Sequence, residues 1–384
     1  MAKGGRYLRK KAPARKGGKV AVIVLLVLIL LVVGVIGGLF WYLNKYVAGS
    51  ITKADDVTIP VVTMSEEEEN AMLGILPTET VDVVETTVPV ETSPEDTWPV
   101  IESDENITNI MLVGQAARWG ETYRLSDSMI LCSINRETKT LTMTSFLRDL
   151  RVTVPAYAGK GQGFNRMNVC YHLGSYYTGE VKGSMEMLAM AVEKNFGVHV
   201  DHTVEIDFEI FEKIVDLLGG VEVELTQAEV DYINEIIDKN NVDPVEPYLP
   251  GKNTLNGELA LIYARLRKID NDFNRTNRQR NVITSLLKKM MGMNIMDIHG
   301  LFMEILPSII TDMSNEEITN YAWEFIPMLK DIKIVSQSIP FDGTYWYKNI
   351  GSEERPDYVI DADLKKNGDL LRQSIGLVDA EAAN

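Results

Sequence analysis

The chain has 384 residues, 45% hydrophobic and 24% charged, which excludes wholesale disorder and permits a packed core. Its net charge of −17 excludes a protein that coats nucleic acid, because that task needs a cationic surface. The charge is segregated: residues 1–50 carry nine Lys/Arg and no acid, whereas residues 51–105 carry fifteen acids and a single Lys.

Residues 1–19 form a basic tail with Lys3, Arg6, Arg9, Lys10, Lys11, Arg15, Lys16 and Lys19. Residues 20–44 carry no charge and are mostly Val, Leu, Ile and Gly. About 20 such residues span a bilayer core, so the run predicts one transmembrane helix. The basic tail predicts a cytoplasmic N-terminus, and Trp41 and Tyr42 fall at the far interface. A signal peptide has a shorter apolar region, of roughly 7–15 residues. Val47-Ala48-Gly49 is nevertheless a usable cleavage site, and both readings export the body. Residues 45–106 are rich in Thr, Val, Pro and acid, including Glu66-Glu67-Glu68-Glu69. Like-charge repulsion and few large apolar residues predict a disordered, extended acidic linker, with an acidic partner-binding segment as the alternative.

The body runs over residues 107–378, before a short tail at 379–384. Asn109–Gly114, Met129–Ile134 and Thr140–Ser145 read as strands, the last two joined by a hairpin turn at Asn135–Lys139. Ser184–Phe196 has helical spacing and Gly197 as its stop signal. A strand at His202–Phe208, a helix at Glu209–Leu218 and a strand at Val221–Leu225 follow. Helix patterns at Leu255–Leu266 and Asn274–Met293 come next, then further elements at Ile318–Leu329, Ile332–Ser338 and Ala362–Ile375. Interleaved strands and helices predict an α/β layered domain. The two cysteines, Cys132 and Cys170, are either a disulfide or two buried thiols, and a single pair does not decide between them.

The chemically informative residues are arginines in an otherwise acidic body. They are Arg118, Arg124 ahead of Ser126-Asp127-Ser128, Arg148 beside Asp149, Arg166 beside Met167-Asn168, the pair Arg265 and Arg267, and Arg275, Arg278 and Arg280 after Asp272. In an extended segment Arg265 and Arg267 point to one side. On a helix, Arg275, Arg278 and Gln279 share a face. Asp272 is placed to cap that helix or to hold an arginine. A guanidinium is a planar fork that stays charged and grips phosphate with two hydrogen bonds, so several on one side form a pyrophosphate clamp. Surface salt bridges with the many acids are the plainer explanation for any one of them. No G-x-S-x-G, P-loop, H-E-x-x-H or C-x-x-C motif occurs, and the four histidines are scattered, so a Ser/His or Cys/His hydrolase is poorly supported.

Seven stretches in order behind one apolar run resemble the LytR-CpsA-Psr family of bacterial cell-envelope proteins. They are NIMLVG at 109–114, SDSMI at 126–130, SFLRD at 145–149, RMNVCY at 166–171, DLLGGV at 216–221, LNGELALIYARLR at 255–267 and DFNRTNRQ at 272–279. The resemblance implies a mixed sheet sandwiched between helices, a greasy pocket for a prenyl chain, and arginines around a pyrophosphate. It implies a membrane-anchored extracellular phosphotransferase that moves an anionic glycopolymer from a polyprenyl-pyrophosphate carrier to peptidoglycan. On that basis Arg148, Arg265, Arg267, Arg275 and Arg278 hold the pyrophosphate with Gln279 assisting, and Arg118, Arg124 and Arg166 add positive charge. Arg166 stands where the family often has Lys. Asp127 holds Mg²⁺ or orients an arginine, Asp149 supports Arg148, and Asn168 and Asp272 support the site.

Two departures stand out. The family's Gly-x-Asp-x-Arg reads Gly114-Gln115-Ala116-Ala117-Arg118 here, and the Ala116 side chain cannot coordinate Mg²⁺, which takes oxygen ligands. Arg124 lies three residues before Asp127, where the family commonly has two. The rival functions are a non-enzymatic binder or sensor of lipid-linked polymer, and a pyrophosphatase that releases prenyl phosphate.

Overall fold

The computed structural model describes residues 52–59, 101–115, 125–240, 247–353 and 355–378. The basic tail, the apolar run 20–44, most of the acidic linker, residues 379–384, and the stretch holding Ala116, Arg118 and Arg124 lie outside the described residues. Among the described residues no helix is long and apolar enough to cross a membrane.

The elements, in chain order, are β1 (Thr52–Lys53), β2 (Ile107–Gln115), β3 (Ser126–Asn135), β4 (Thr140–Phe146), β5 (Arg151–Val154), β6 (Gly163–Arg166), α1 (Met167–Thr178), α2 (Val181–Phe196), β7 (His202–Asp207) and α3 (Phe208–Leu217). They continue with β8 (Val221–Leu225), α4 (Gln227–Asn240), β9 (Gly251–Leu255), α5 (Gly257–Arg265), α6 (Asp272–Met291), α7 (Ile295–Ile305), β10 (Ile310–Thr311), α8 (Asn315–Met328), β11 (Lys333–Ile339), β12 (Tyr345–Asn349), β13 (Tyr358–Ala362) and α9 (Leu364–Ile375).

Seven strands form one mixed sheet in the order β1–β10–β7–β2–β3–β4–β11. β7 runs parallel to β2 and β11 parallel to β4, while β3 is antiparallel to both its neighbours. Alternation divides the strand residues between two faces. Met111, Val113, Met129, Leu131 and Phe146 enter a core with Leu173 of α1, Leu188 and Val192 of α2 and Leu371 of α9. Ile130, Leu141 and Met143 face the other way, onto Ile283 and Leu287 of α6. The far side of α6 buries Val282 in a satellite core built from β8, β9, α4 and α5. The sheet therefore lies between helices, as the resemblance implies.

Local signals account for the helix boundaries. Gly197 closes α2 in the left-handed region at φ 68°. Asp207, Asn256 and Asn271 cap α3, α5 and α6 by accepting from the backbone N–H of Ile210, Leu259 and Asn274. Helices α1 and α2 touch through glycine: a Cβ on Gly174 would sit 1.9 Å from the Gly183 carbonyl oxygen.

Three findings differ from the expectations. The folded body does not begin at residue 107: Thr52–Lys53 pairs with β10, and Ala54, Val57 and Ile59 are buried in the main core. The acidity of the linker masks this short apolar pattern. Helices α1, α4 and α7 were not anticipated; α1 carries Gly, Val, Ser and three tyrosines, all weak helix formers. Third, the helix pattern read at Leu255–Leu266 holds over Gly257–Arg265, so Arg265 and Arg267 do not share the extended segment that would point both to one side. Both cysteines are free, Cys132 on the α6 face and Cys170 in the opposite core, and burial pushes each thiol up to about 12.

Candidate functional site

Antiparallel pairing of β3 with β2 and β4 brings the start of β3 to the same edge as the ends of β2 and β4. Asp127 stands on that rim, and Arg148 and Asp149 occupy the turn leaving β4. The start of α1 fixes the turn: the Met167 N–H donates to the Leu150 carbonyl at 2.8 Å and the Asn168 N–H to the Arg148 carbonyl at 3.3 Å. Asn168 thus supports Arg148 through its backbone, while its buried side-chain oxygen has no partner.

Residues distant in sequence meet around this rim. Asp127 lies between two arginines, with Arg265 Nε at 3.6 Å from Oδ2 and an Arg267 Nη nitrogen at 3.3 Å from Oδ1. The Arg265 guanidinium also rests over the Phe208 ring, 4.2 Å from its centroid. Asp149 lies 3.3 Å from Arg148 Nε and 3.4 Å from Arg166 Nε. Arg166 is drawn further to the rim by Asp357 and the Tyr358 carbonyl. Of the two roles open to Asp272, it takes the arginine: its carboxylate holds Arg275 at 2.8 Å, while Asn271 caps the helix. Five arginines therefore meet four aspartates and leave positive charge in excess.

The excess is visible in the electrostatics. Arg267 is held below its usual value by desolvation and then by the nearby charge of Arg148. Burial lowers Arg275 to about 10 despite Asp272, and Arg267 and Arg148 add to the effect. Burial raises Asp272 against the pull of Arg275 and Arg148. Arg275 is only 1% exposed, and its Nε and one Nη have no hydrogen-bond partner; the Oε1 of buried Gln279 has none either. Buried guanidinium donors without acceptors are costly, and an anion would satisfy them. Asp127, Arg265, Arg267, Arg275 and Gln279 line one cavity of about 520 Å³.

Arg278 is placed otherwise than expected. It shares the buried face with Arg275 and Gln279, but both of its Nη nitrogens are already occupied. Two Nη nitrogens grip Asp270 at 2.6 and 2.8 Å, one reaches Glu229 at 3.3 Å, and one donates to the Leu266 carbonyl at 2.5 Å. Arg278 thus ties α6 and α4 to the loop that carries Arg267, and it does not face the cavity. Arg118 and Arg124 lie outside the described residues.

Asp127 is the one described residue that the sequence offers as a magnesium ligand. Both of its oxygens face arginines, and among the described residues no group of three or more His, Cys, Asp or Glu is arranged to hold a metal. Sequence reasoning did not single out Glu212, Tyr232 and Glu258 of the cavity wall: Glu212 and Glu258 lie on helices whose period is legible but whose packing is not, and Tyr232 lies on α4, which shows no clear pattern.

A mixed sheet between helices, with arginine forks gathered at one rim, defines an α/β domain built to bind a polyanion. The chain belongs to the LytR_cpsA_psr family, whose model matches residues 77–357. It is 31% identical over 271 residues to the polyisoprenyl-teichoic acid–peptidoglycan teichoic acid transferase TagU of Bacillus licheniformis, covering 67% of this chain and 77% of that one. Its fold resembles that of Bacillus subtilis TagT bound to LI-WTA, with a TM-score of 0.54, 23% identity, and coverage of 73% and 97% of the two chains. It also resembles TagT with bound octaprenyl pyrophosphate, with a TM-score of 0.50, 21% identity, and the same coverage.

Proposed function

We propose that this chain is an exported, membrane-anchored phosphotransferase that attaches an anionic glycopolymer from a polyprenyl-pyrophosphate carrier to peptidoglycan. The observation that carries the reading is the convergence of Arg148, Arg265, Arg267 and Arg275 on one rim, with buried donors of Arg275 left open. The names of the relatives, a teichoic acid transferase and a protein holding octaprenyl pyrophosphate, support the same chemistry. The apolar run 20–44 behind its basic tail supports the anchor.

The reaction is a displacement at phosphorus. An acceptor hydroxyl oxygen bonds to the sugar-linked phosphorus, the bond from that phosphorus to the bridging oxygen breaks, and prenyl phosphate departs with the electron pair. Catalysis then consists of alignment and charge neutralisation. Arg148, Arg267 and Arg275 neutralise the leaving phosphate. Asp127, kept in place by two arginines, is positioned to accept the hydroxyl proton. The half-buried apolar residues Leu112, Cys132, Ile283 and Leu287 between sheet and α6 offer a surface for the prenyl chain.

The test uses the full chain with a polyprenyl-pyrophosphate-linked oligosaccharide in detergent micelles, with and without a glycan acceptor, and with and without Mg²⁺. Release of prenyl phosphate that requires the acceptor is the expected result. Release into water alone identifies a pyrophosphatase, and binding without release identifies a sensor; either overturns the reading.

A further inference from the structure

The cavity continues beyond the arginines. Its wall includes Glu258, Leu261, Ile262 and Arg265, one stripe of α5 at helical spacing. Glu258 precedes Arg265 by seven residues, which along a helix is about 10 Å. The remaining lining there comes from Tyr232 and Ile236, one turn apart on α4, and Glu212 on α3. The contact between α3 and α5 is held by glycine: the Gly257 N–H donates to Asp216 at 2.7 Å, and a Cβ on Gly257 would lie 2.4 Å from the Glu212 carbonyl oxygen. That close approach sets Glu212 near Glu258. Burial raises the Glu212 carboxyl above its usual range, and Glu258, Asp216 and Glu209 add to it. Among the described residues neither Glu212 nor Glu258 pairs with a cation. One groove therefore has a cationic end, an aromatic and aliphatic middle, and a carboxylate end.

This polarity selects among occupants. A chain of phosphates is repelled by two unpaired carboxylates. A prenyl chain gains nothing from a wall interrupted by them. An uncharged saccharide suits all three parts. Carboxylates only accept hydrogen bonds, and sugar hydroxyls and amides donate them. The negative face of a tyrosine ring attracts the positively polarised C–H bonds of a pyranose. The partnerless buried atoms of Arg275 and Gln279 border the same cavity and mark it as a ligand site rather than a surface crease.

We propose that this groove seats the uncharged glycan of the acceptor, with Tyr232 as the platform for one sugar ring, Glu212 and Glu258 accepting hydrogen bonds from its hydroxyl and amide groups, and the reactive hydroxyl led to Asp127 at the cationic end. The inference rests on the phosphotransferase reading and adds the acceptor's path to it. The hydroxyl oxygen forms the new bond to phosphorus, its proton passes to Asp127, and prenyl phosphate leaves.

The test compares the full-length chain with Tyr232→Ala, Tyr232→Phe and the pair Glu212→Gln/Glu258→Gln, using an uncharged β-linked N-acetylhexosamine oligosaccharide as acceptor. Tyr232→Ala and the double variant are expected to raise acceptor KM about fivefold or more, with donor KM and kcat within about twofold and Tyr232→Phe close to the parent. A rise in donor KM with acceptor KM fixed assigns the groove to the donor and overturns the proposal. Unchanged parameters overturn it as well. Calorimetric titration of the same oligosaccharide, without donor, gives a readout independent of turnover: binding that weakens in Tyr232→Ala supports the groove even if transfer itself fails, and an absence of binding to the parent chain counts against it.

Discussion

Replacing Arg267 with Ala is expected to lower polymer transfer by about 10²–10³-fold, the range seen when one preorganised donor to a developing charge is removed. Arg267 is the arginine whose loss separates chemistry from folding most cleanly. Its side chain is 39% exposed, and it meets Asp127 through a single 3.3 Å contact, while Asp127 keeps Arg265 as a second partner. The thermal midpoint should therefore stay within a few degrees, since an exposed pair contributes about 1 kcal/mol or less. Arg267→Lys should recover only part of the rate, because an ammonium restores the charge but not the planar fork. Steady-state kinetics beside a melting curve measures both quantities. Full transfer by Arg267→Ala would remove this residue from the clamp.

Arg278→Ala is expected to have the opposite signature, a loss of folding stability of about 3–5 kcal/mol. Removing the cation leaves Asp270 and buried Glu229 as neighbouring charges without a counterion, and the Leu266 carbonyl loses its donor. Arg278→Lys should remain well below the parent, since one ammonium cannot span two carboxylates and a carbonyl with the same geometry. Denaturant unfolding reads the change. Combining Arg278→Ala with Asp270→Ala should cost less than the sum of the two single changes, because one orphaned charge is gone. Additive losses, or a loss under about 1 kcal/mol for Arg278→Ala alone, would show that the contact does not brace the loop.

The contrast between Arg267 and Arg278 shows what the sequence carries. Spacing identified the α6 face shared by Arg275, Arg278 and Gln279, because helical period is a local property. Spacing did not reveal what stands opposite. Glu229 is 49 residues away from Arg278 in the chain, and Asp270 belongs to a loop with no pattern of its own. The alternating strands and the helices closed by Gly197 and Gly219-Gly220 were legible for the same local reason. Thr52–Lys53 was not, since a two-residue strand inside an acidic stretch has too few apolar positions to show a period. The acceptor groove was invisible for a related reason: Tyr232 lies on a helix with no clear signal, and its relation to Glu212 and Glu258 exists only after α3, α4 and α5 have packed.

In the proposed function, arginines scattered over more than a hundred residues of chain form one site for a pyrophosphate. The most direct measurement is equilibrium binding of octaprenyl pyrophosphate and octaprenyl monophosphate to the full chain in identical micelles. The pyrophosphate is expected to bind at least about tenfold more tightly, or about 1.4 kcal/mol, and Arg148→Ala/Arg267→Ala to abolish the preference while leaving monophosphate binding largely intact. Equal affinity for the two lipids, or a preference that survives the double substitution, would contradict it.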